Sequence, residues 1–124
     1  MLIHEAQRMR VSVLVGDLRE PGLQGKWVHE IRLILISNKL TIGEATAVLA
    51  HELVHAKLDH RGRQSVVVEA LVDEVAAGWL ITDWEWGYAC RLCGGDFDCV
   101  AARLGVPRWL VVARCRAWLR ARLE

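Results

Sequence analysis

The sequence predicts an α+β fold that is mostly helical, with a small N-terminal antiparallel sheet and a pair of helices at the C-terminus. Two segments with the composition of strands lie before residue 40, and residues that cap helices precede the apolar segments after it. A chain of 124 residues is long enough for one hydrophobic core. We therefore expect a single domain over residues 1–124, with residues 95–124 as a helical C-terminal subdomain.

The composition is that of a globular protein. Apolar residues make up 53% of the chain and charged residues 25%, and no apolar stretch is long enough to cross a bilayer. The N-terminus carries His4, Glu5 and Arg8, whereas a secretory signal has an unbroken apolar core. The net charge of +1 gives no general attraction to nucleic acids or membranes. We expect a cytoplasmic protein with no membrane partner.

The two strands are predicted in the first third of the chain. Residues 11–15 form a short β-branched segment that ends at Gly16. In residues 26–36, apolar side chains such as Trp27 and Leu33 alternate with polar ones, which is the period of a strand with one buried face. The second strand is therefore expected to be longer than the first and antiparallel to it.

Two long helices are predicted to follow. Thr41 and Glu44 form a capping box, in which each side chain accepts a hydrogen bond from the other residue's backbone N–H, so a helix is expected over residues 42–59. A second helix is expected over residues 65–81. Its buried stripe is predicted to comprise Val68, Val72, Val75, Ala76 and Trp79.

The C-terminal part is predicted to contain a loop over residues 84–95 and then two helices. Asp96 is a suitable N-cap for the first, Gly105 suits its end, and Pro107 suits the first turn of the second. The spacing resembles a helix-turn-helix, but Trp109 is typical of a packed core position. The last helix is locally basic, which indicates a solvated face or a surface that binds DNA or protein.

Four cysteines, Cys90, Cys93, Cys99 and Cys115, lie in the last third of the chain. In a cytoplasmic protein we expect them to be reduced, so disulfides are the weaker interpretation. The spacing of Cys90 and Cys93 is also compatible with a structural zinc site.

The sequence His51-Glu52-Leu-Val-His55 lies in the middle of the first long helix. A spacing of four places both imidazoles on one face, at the separation that two ligands of one zinc ion need. Glu52 lies at the edge of that face, where its carboxylate can act as a base toward a water molecule. The alternative is an exposed helix face on which the two histidines form ordinary contacts with Glu52 and Asp59.

A catalytic zinc ion takes three protein ligands, so a third donor is required. The second helix offers Glu69 and Asp73, which are four residues apart and share a face. We predict Glu69 as the third ligand and Asp73 as the residue that accepts the free N–H of a ligand histidine. Asp73 and Glu74 remain alternatives as ligands. His29, His60 and Tyr88 are candidates by type for stabilising a developing oxyanion, but nothing in their spacing favours one of them.

The segment 34–81 resembles the ImmA/IrrE family of zinc metallopeptidases. The resemblance is carried by Leu49-Ala-His-Glu-Leu-Val-His-Ala56 together with Glu69-x-x-x-Asp73-Glu, and Gly16-Asp-Leu resembles short, phage-type members. It implies a zincin-like fold whose sheet packs on the metal-binding helix, one catalytic Zn²⁺ held by His51, His55 and Glu69, and cleavage of a DNA-binding repressor. The chain departs from the family pattern in having Thr82 where a proline is expected.

The sequence therefore predicts a zinc-dependent endopeptidase with a protein substrate, and the resemblance suggests a transcriptional repressor. The alternative is a regulatory protein in which the metal is structural and the basic C-terminal helices contact DNA or a repressor without cleavage.

Overall fold

The computed structural model describes residues 2–123 and confirms the α+β class. Within these residues there are six α-helices and one three-stranded sheet, and the sheet packs mainly on the second helix. The elements are α1 (Leu2–Arg8), β1 (Ser12–Gly16), β2 (Gly25–Val28), β3 (Leu33–Ser37), α2 (Ile42–Lys57), α3 (Val66–Leu80), α4 (Asp83–Cys93), α5 (Phe97–Leu104) and α6 (Arg108–Leu123). Among the helices of residues 2–123, none has the length and apolar character that crossing a membrane would require.

The sheet is mixed, and the prediction of one long second strand antiparallel to the first is wrong. Residues 26–36 are divided by a 3₁₀ turn, His29–Ile31, after which Arg32 adopts a left-handed conformation with φ of 49°. The chain reverses there, so β2 and β3 form an antiparallel pair. β1 lies on the other side of β3 and runs parallel to it, which gives the order β1-β3-β2.

Helix α2 begins where the capping box predicts. The Glu44 backbone N–H donates to Thr41 Oγ1 at 3.2 Å, and the Thr41 N–H donates to Glu44 Oε1 at 3.0 Å. The first turn also packs closely against the end of α5, because a Cβ on Gly43 would overlap the backbone oxygen of Gly105. This glycine therefore sets how near α2 lies to the C-terminal helices.

Helix α3 packs between α2 and α6. Its buried face includes Val72 and Ala76, which are fully inaccessible to solvent. The prediction was wrong for Val75, which is 42% exposed. The reason is that α3 is apolar on nearly every side apart from its three acids, so the apolar pattern alone does not distinguish its faces.

The predicted loop over residues 84–95 is wrong, because most of this segment forms α4. Thr82 and Glu85 form a second capping box, with hydrogen bonds of 3.0 and 3.1 Å. Thr82, which stands where the ImmA/IrrE pattern has a proline, is thus the N-cap of α4. The same Thr-x-x-Glu signal used for α2 could have predicted it.

The four cysteines are not all reduced, contrary to the expectation. Cys93 and Cys99 form a disulfide, while Cys90 and Cys115 are free thiols. Gly94 and Gly95, both with positive φ, turn the chain sharply between α4 and α5, so the two bonded residues have Cα atoms 5.6 Å apart. With two sulfurs in a disulfide, the four cannot act together as thiolate ligands of a structural zinc.

Helices α5 and α6 follow one another as predicted, with Gly105 in a left-handed conformation between them. The first half of α6 lies in the core, since Leu110, Val111 and Ala113 are fully buried. The second half carries Arg116 and Arg120, which reach back to α3. Most of the first half of α6 is therefore occupied by internal packing.

Glu74 joins α3 to α6. Its buried carboxylate accepts hydrogen bonds from Arg120 Nε and Nη2, both at 3.0 Å, and from Arg116 Nε at 3.4 Å. The Arg120 guanidinium, assisted by Arg116, holds the pKa of Glu74 below its ordinary value of 4.5. Because the pKa is lowered on folding, this carboxylate stabilises the fold above about pH 4.5, and that contribution is lost as the pH falls below this value.

We predict that Glu74→Gln lowers the free energy of unfolding by about 1–2 kcal/mol at pH 7. That cost is below the cost of breaking a fully buried ion pair, because Arg116 and Arg120 are 40% and 55% exposed. Urea unfolding at pH 7 and at pH 3.5 measures the effect, and the gap between variant and wild type should narrow at the lower pH. Glu5→Gln, which removes only an exposed contact with Arg8, is the matched control. An equal gap at both pH values would contradict the prediction.

Candidate metal centre

Helix α2 presents His51 and His55 side by side. Their Nε2 atoms lie 3.1 Å apart, as the spacing of four residues predicts. The His51 side chain is 20% exposed and that of His55 is 8% exposed. The interpretation of these histidines as a solvent-facing helix surface is therefore wrong.

Helix α3 brings Glu69 to the same point. Glu69 Oε1 lies 2.8 Å from His55 Nε2 and 3.2 Å from His51 Nε2. In a tetrahedral zinc site with bonds of 2.0–2.1 Å, neighbouring donor atoms are about 3.3 Å apart. The three donor atoms thus form a triangle of the size that one small divalent ion would occupy, so the residues present fit a metal.

Glu52 completes a group that could hold a metal ion. One donor atom from each of His51, Glu52 and His55 lies within 4.8 Å of the others. The Glu52 side chain is buried beneath β2, where a Cβ on Gly25 would lie 3.5 Å from Glu52 Cγ. Burial raises the pKa of Glu52 to about 7, even though the nearby His51 lowers it in part.

The structure also brings Asp73 to the site. Asp73 Oδ1 lies 2.7 Å from His51 Nδ1, on the ring edge opposite the one that faces Glu69. Burial lowers the pKa of His51, but this hydrogen bond and the surrounding carboxylates outweigh it, so the pKa is raised overall. Glu74, the alternative ligand, instead faces the arginines of α6.

The three candidates for an oxyanion donor do not line the open space at the centre. His60 contacts His55 through Nδ1 at 2.9 Å, His29 contacts Asp59 at 2.6 Å, and Tyr88 stacks on Trp84 of α4.

Burial, together with the neighbouring histidines, lowers the pKa of His55 despite the opposing effect of Glu69.

An open cleft lies beside the donor atoms. It has a volume of about 670 Å³ and is lined by residues 20–23 and 25–27, the donor residues, Gly62 and Arg63. Trp109 borders an adjoining space, with its ring centroid 6.1 Å from that of His51. Sequence reasoning missed Arg63, because this residue belongs to no recognisable motif and reaches the cleft only through folding. Trp109 is partly buried and packs against the hydrophobic core, as predicted.

The fold and the site define an α+β protein with a His-Glu-x-x-His helix that could hold a metal ion. No protein-family model and no curated protein matches the chain. Among solved structures, the chain is similar to a Mycobacterium tuberculosis transcriptional regulator, with a TM-score of 0.65 and 18% sequence identity. The match covers 91% of this chain and 40% of that one, so the chain spans less than half the length of that neighbour. At this identity the likeness concerns the fold alone.

We predict that Asp73→Asn weakens metal binding about 10–100-fold, because an amide orients the His51 ring less strongly than a carboxylate does. The measurement is competition for one equivalent of a divalent metal against a chelator of known affinity. Asp98→Asn, on the remote α5, is the control. Equal affinities of wild type and Asp73→Asn would show that the Asp73 contact does not support a metal ligand.

Proposed function

We propose that this chain is a zinc-dependent endopeptidase in which His51, His55 and Glu69 hold the metal and Glu52 is the catalytic base. The observation that carries the proposal is the meeting of three donor atoms, 2.8–3.2 Å apart, beside a buried carboxyl group at an open cleft. Two imidazoles and one carboxylate are a ligand set used by catalytic zinc in peptidases. The resemblance to the ImmA/IrrE family supports the same assignment.

The protein groups have the properties that peptide hydrolysis requires. A bound zinc ion would acidify water and polarise a carbonyl group. Glu52, whose pKa is raised to about 7, can accept a proton from the attacking water near neutral pH and return it to the leaving amine. The contact of Asp73 with His51 keeps the Nε2 edge of that ring turned toward Glu69.

The cleft suits an extended peptide. β2 is an edge strand of the sheet, and its residues Gly25, Lys26 and Trp27 line the cleft. An extended substrate can add to such an edge through backbone hydrogen bonds, which places its carbonyl groups beside Glu52. The family resemblance suggests a DNA-binding repressor as the substrate, and the structural neighbour is itself named a transcriptional regulator.

We predict that Glu52→Gln reduces cleavage at least 10²-fold while zinc is still bound. The amide keeps the shape of the side chain but cannot accept the proton. The test incubates zinc-loaded protein with the repressor encoded nearest to its gene and follows the fragments by mass spectrometry. Zinc content is measured on the same samples.

The control for this experiment is Glu44→Gln, which changes an exposed carboxylate of the same helix outside the site. Cleavage by Glu52→Gln at the wild-type rate would remove Glu52 from the catalytic role. Loss of zinc together with activity would instead assign Glu52 to metal binding.

The competing function is a regulator that binds DNA through α6 without cleaving anything. Several α6 arginines already contact acids within the chain: Arg108 contacts Asp98, Arg114 contacts Asp83, and both Arg116 and Arg120 contact Glu74. These pairs reduce the positive charge that α6 can offer to phosphates.

We therefore predict that DNA binding, measured by fluorescence anisotropy with a mixed-sequence duplex, is weak at 50 mM salt and does not change with Glu52→Gln. A high affinity for DNA that falls steeply between 50 and 200 mM salt would favour the regulator. The steepness of that fall increases with the number of phosphates that the protein contacts. Arg116→Gln would then reduce the slope.

A further inference from the structure

His60 contacts the ring edge of His55 that faces away from the donor cluster. His55 Nε2 faces Glu69 and His51, whereas His55 Nδ1 lies 2.9 Å from His60 Nδ1. The two ligand histidines are therefore supported differently. His51 has a carboxylate at its outer nitrogen, and His55 has a second imidazole.

The chemistry of imidazole determines where the hydrogens lie in this pair. A neutral imidazole has one N–H and one bare nitrogen, and the bare nitrogen is the one that can bind a metal. With His55 Nε2 as the metal ligand, the hydrogen of His55 is on Nδ1 and donates to His60 Nδ1. His60 must then carry its own hydrogen on Nε2.

The backbone places His60 independently of this contact. Its N–H donates to the His55 backbone oxygen at 3.0 Å, and its backbone oxygen accepts a hydrogen bond from Trp27 Nε1 at 3.0 Å. The preceding residue, Asp59, has a φ of 57° and contacts His29 across the turn. The turn after α2 is thus fixed to β2 and to the 3₁₀ turn whatever side chain residue 60 carries.

A neutral acceptor suits this position because the site is already rich in carboxylates. Glu52, Glu69 and Asp73 all lie around the two ligand histidines. A fourth carboxylate behind His55 would add like charge to this cluster, whereas an imidazole orients the ring without adding charge.

We propose that His60 is a positioning residue that fixes the tautomer and orientation of His55 toward the metal. The inference rests on the metal centre of the proposed function but not on peptidase activity. Asp73 and His60 would thus perform the same task for the two ligand histidines, one as an anion and the other as a neutral acceptor.

The test compares His60→Leu, which removes the acceptor, with His60→Asn, whose side-chain oxygen can replace Nδ1. We expect His60→Leu to raise the dissociation constant for zinc about 10–100-fold in chelator competition, and His60→Asn to restore it to within about threefold of wild type. His4→Leu is the matched control, because it makes the same substitution at an exposed histidine of α1, away from the site. The absorption bands of the cobalt-substituted protein should shift only in His60→Leu.

Two further measurements separate positioning from a general role in folding. The unfolding temperature of the metal-free protein should be nearly equal in wild type and His60→Leu, because the hydrogen bonds that hold the turn do not involve the side chain of residue 60. In the zinc-loaded wild type, ¹⁵N NMR of the imidazoles should show His60 protonated at Nε2 and bare at Nδ1.

Unchanged zinc affinity in His60→Leu, or a His60 ring protonated at Nδ1 in the zinc form, would overturn the inference. Failure of the wild type to bind zinc would overturn both the inference and the proposed function. The expected affinities in a protein that cleaves no substrate would support the role of His60 and reject only the peptidase.

Discussion

The contact between α2 and α3 is the interaction on which the candidate site depends. One helix supplies both histidines and the other supplies Glu69 and Asp73, so neither holds the donor set alone. Val72, between the two acids on α3, is fully buried, and Ala76 continues this packed face. The two helices pack closely enough for a Glu69 carboxylate oxygen to lie 2.8 Å from a His55 imidazole nitrogen.

Charge is distributed along α3 so that each acid has a different partner. Glu69 and Asp73 face opposite edges of the His51 ring, while Glu74 faces the arginines of α6. The helix therefore connects the candidate site to the C-terminal helices. This arrangement explains why three neighbouring acids, which look alike in the sequence, have distinct environments. The three acids have different partners because their side chains leave α3 in different directions.

Much of the site could be predicted because its signals are local. The four-residue spacings of His51 with His55 and of Glu69 with Asp73 fix a common helical face, and capping residues fix where a helix begins. The sheet was harder to predict from the sequence, because no feature of the composition marks the left-handed Arg32 that divides β2 from β3. The order of the strands also depends on pairing between residues that are distant in the chain. The contact of His60 with His55 depends on the conformation of a short turn, which no periodic pattern encodes.

Trp27 has two roles in the structure that bear on how the site can change. Its indole N–H binds the turn that carries His60, and its backbone N–H contributes to the environment of Glu52. A substitution there would alter the support of His55, and any backbone shift that accompanied it would alter the surroundings of Glu52. The position of the turn that carries His60 and the surroundings of the Glu52 carboxylate are thus coupled through one residue.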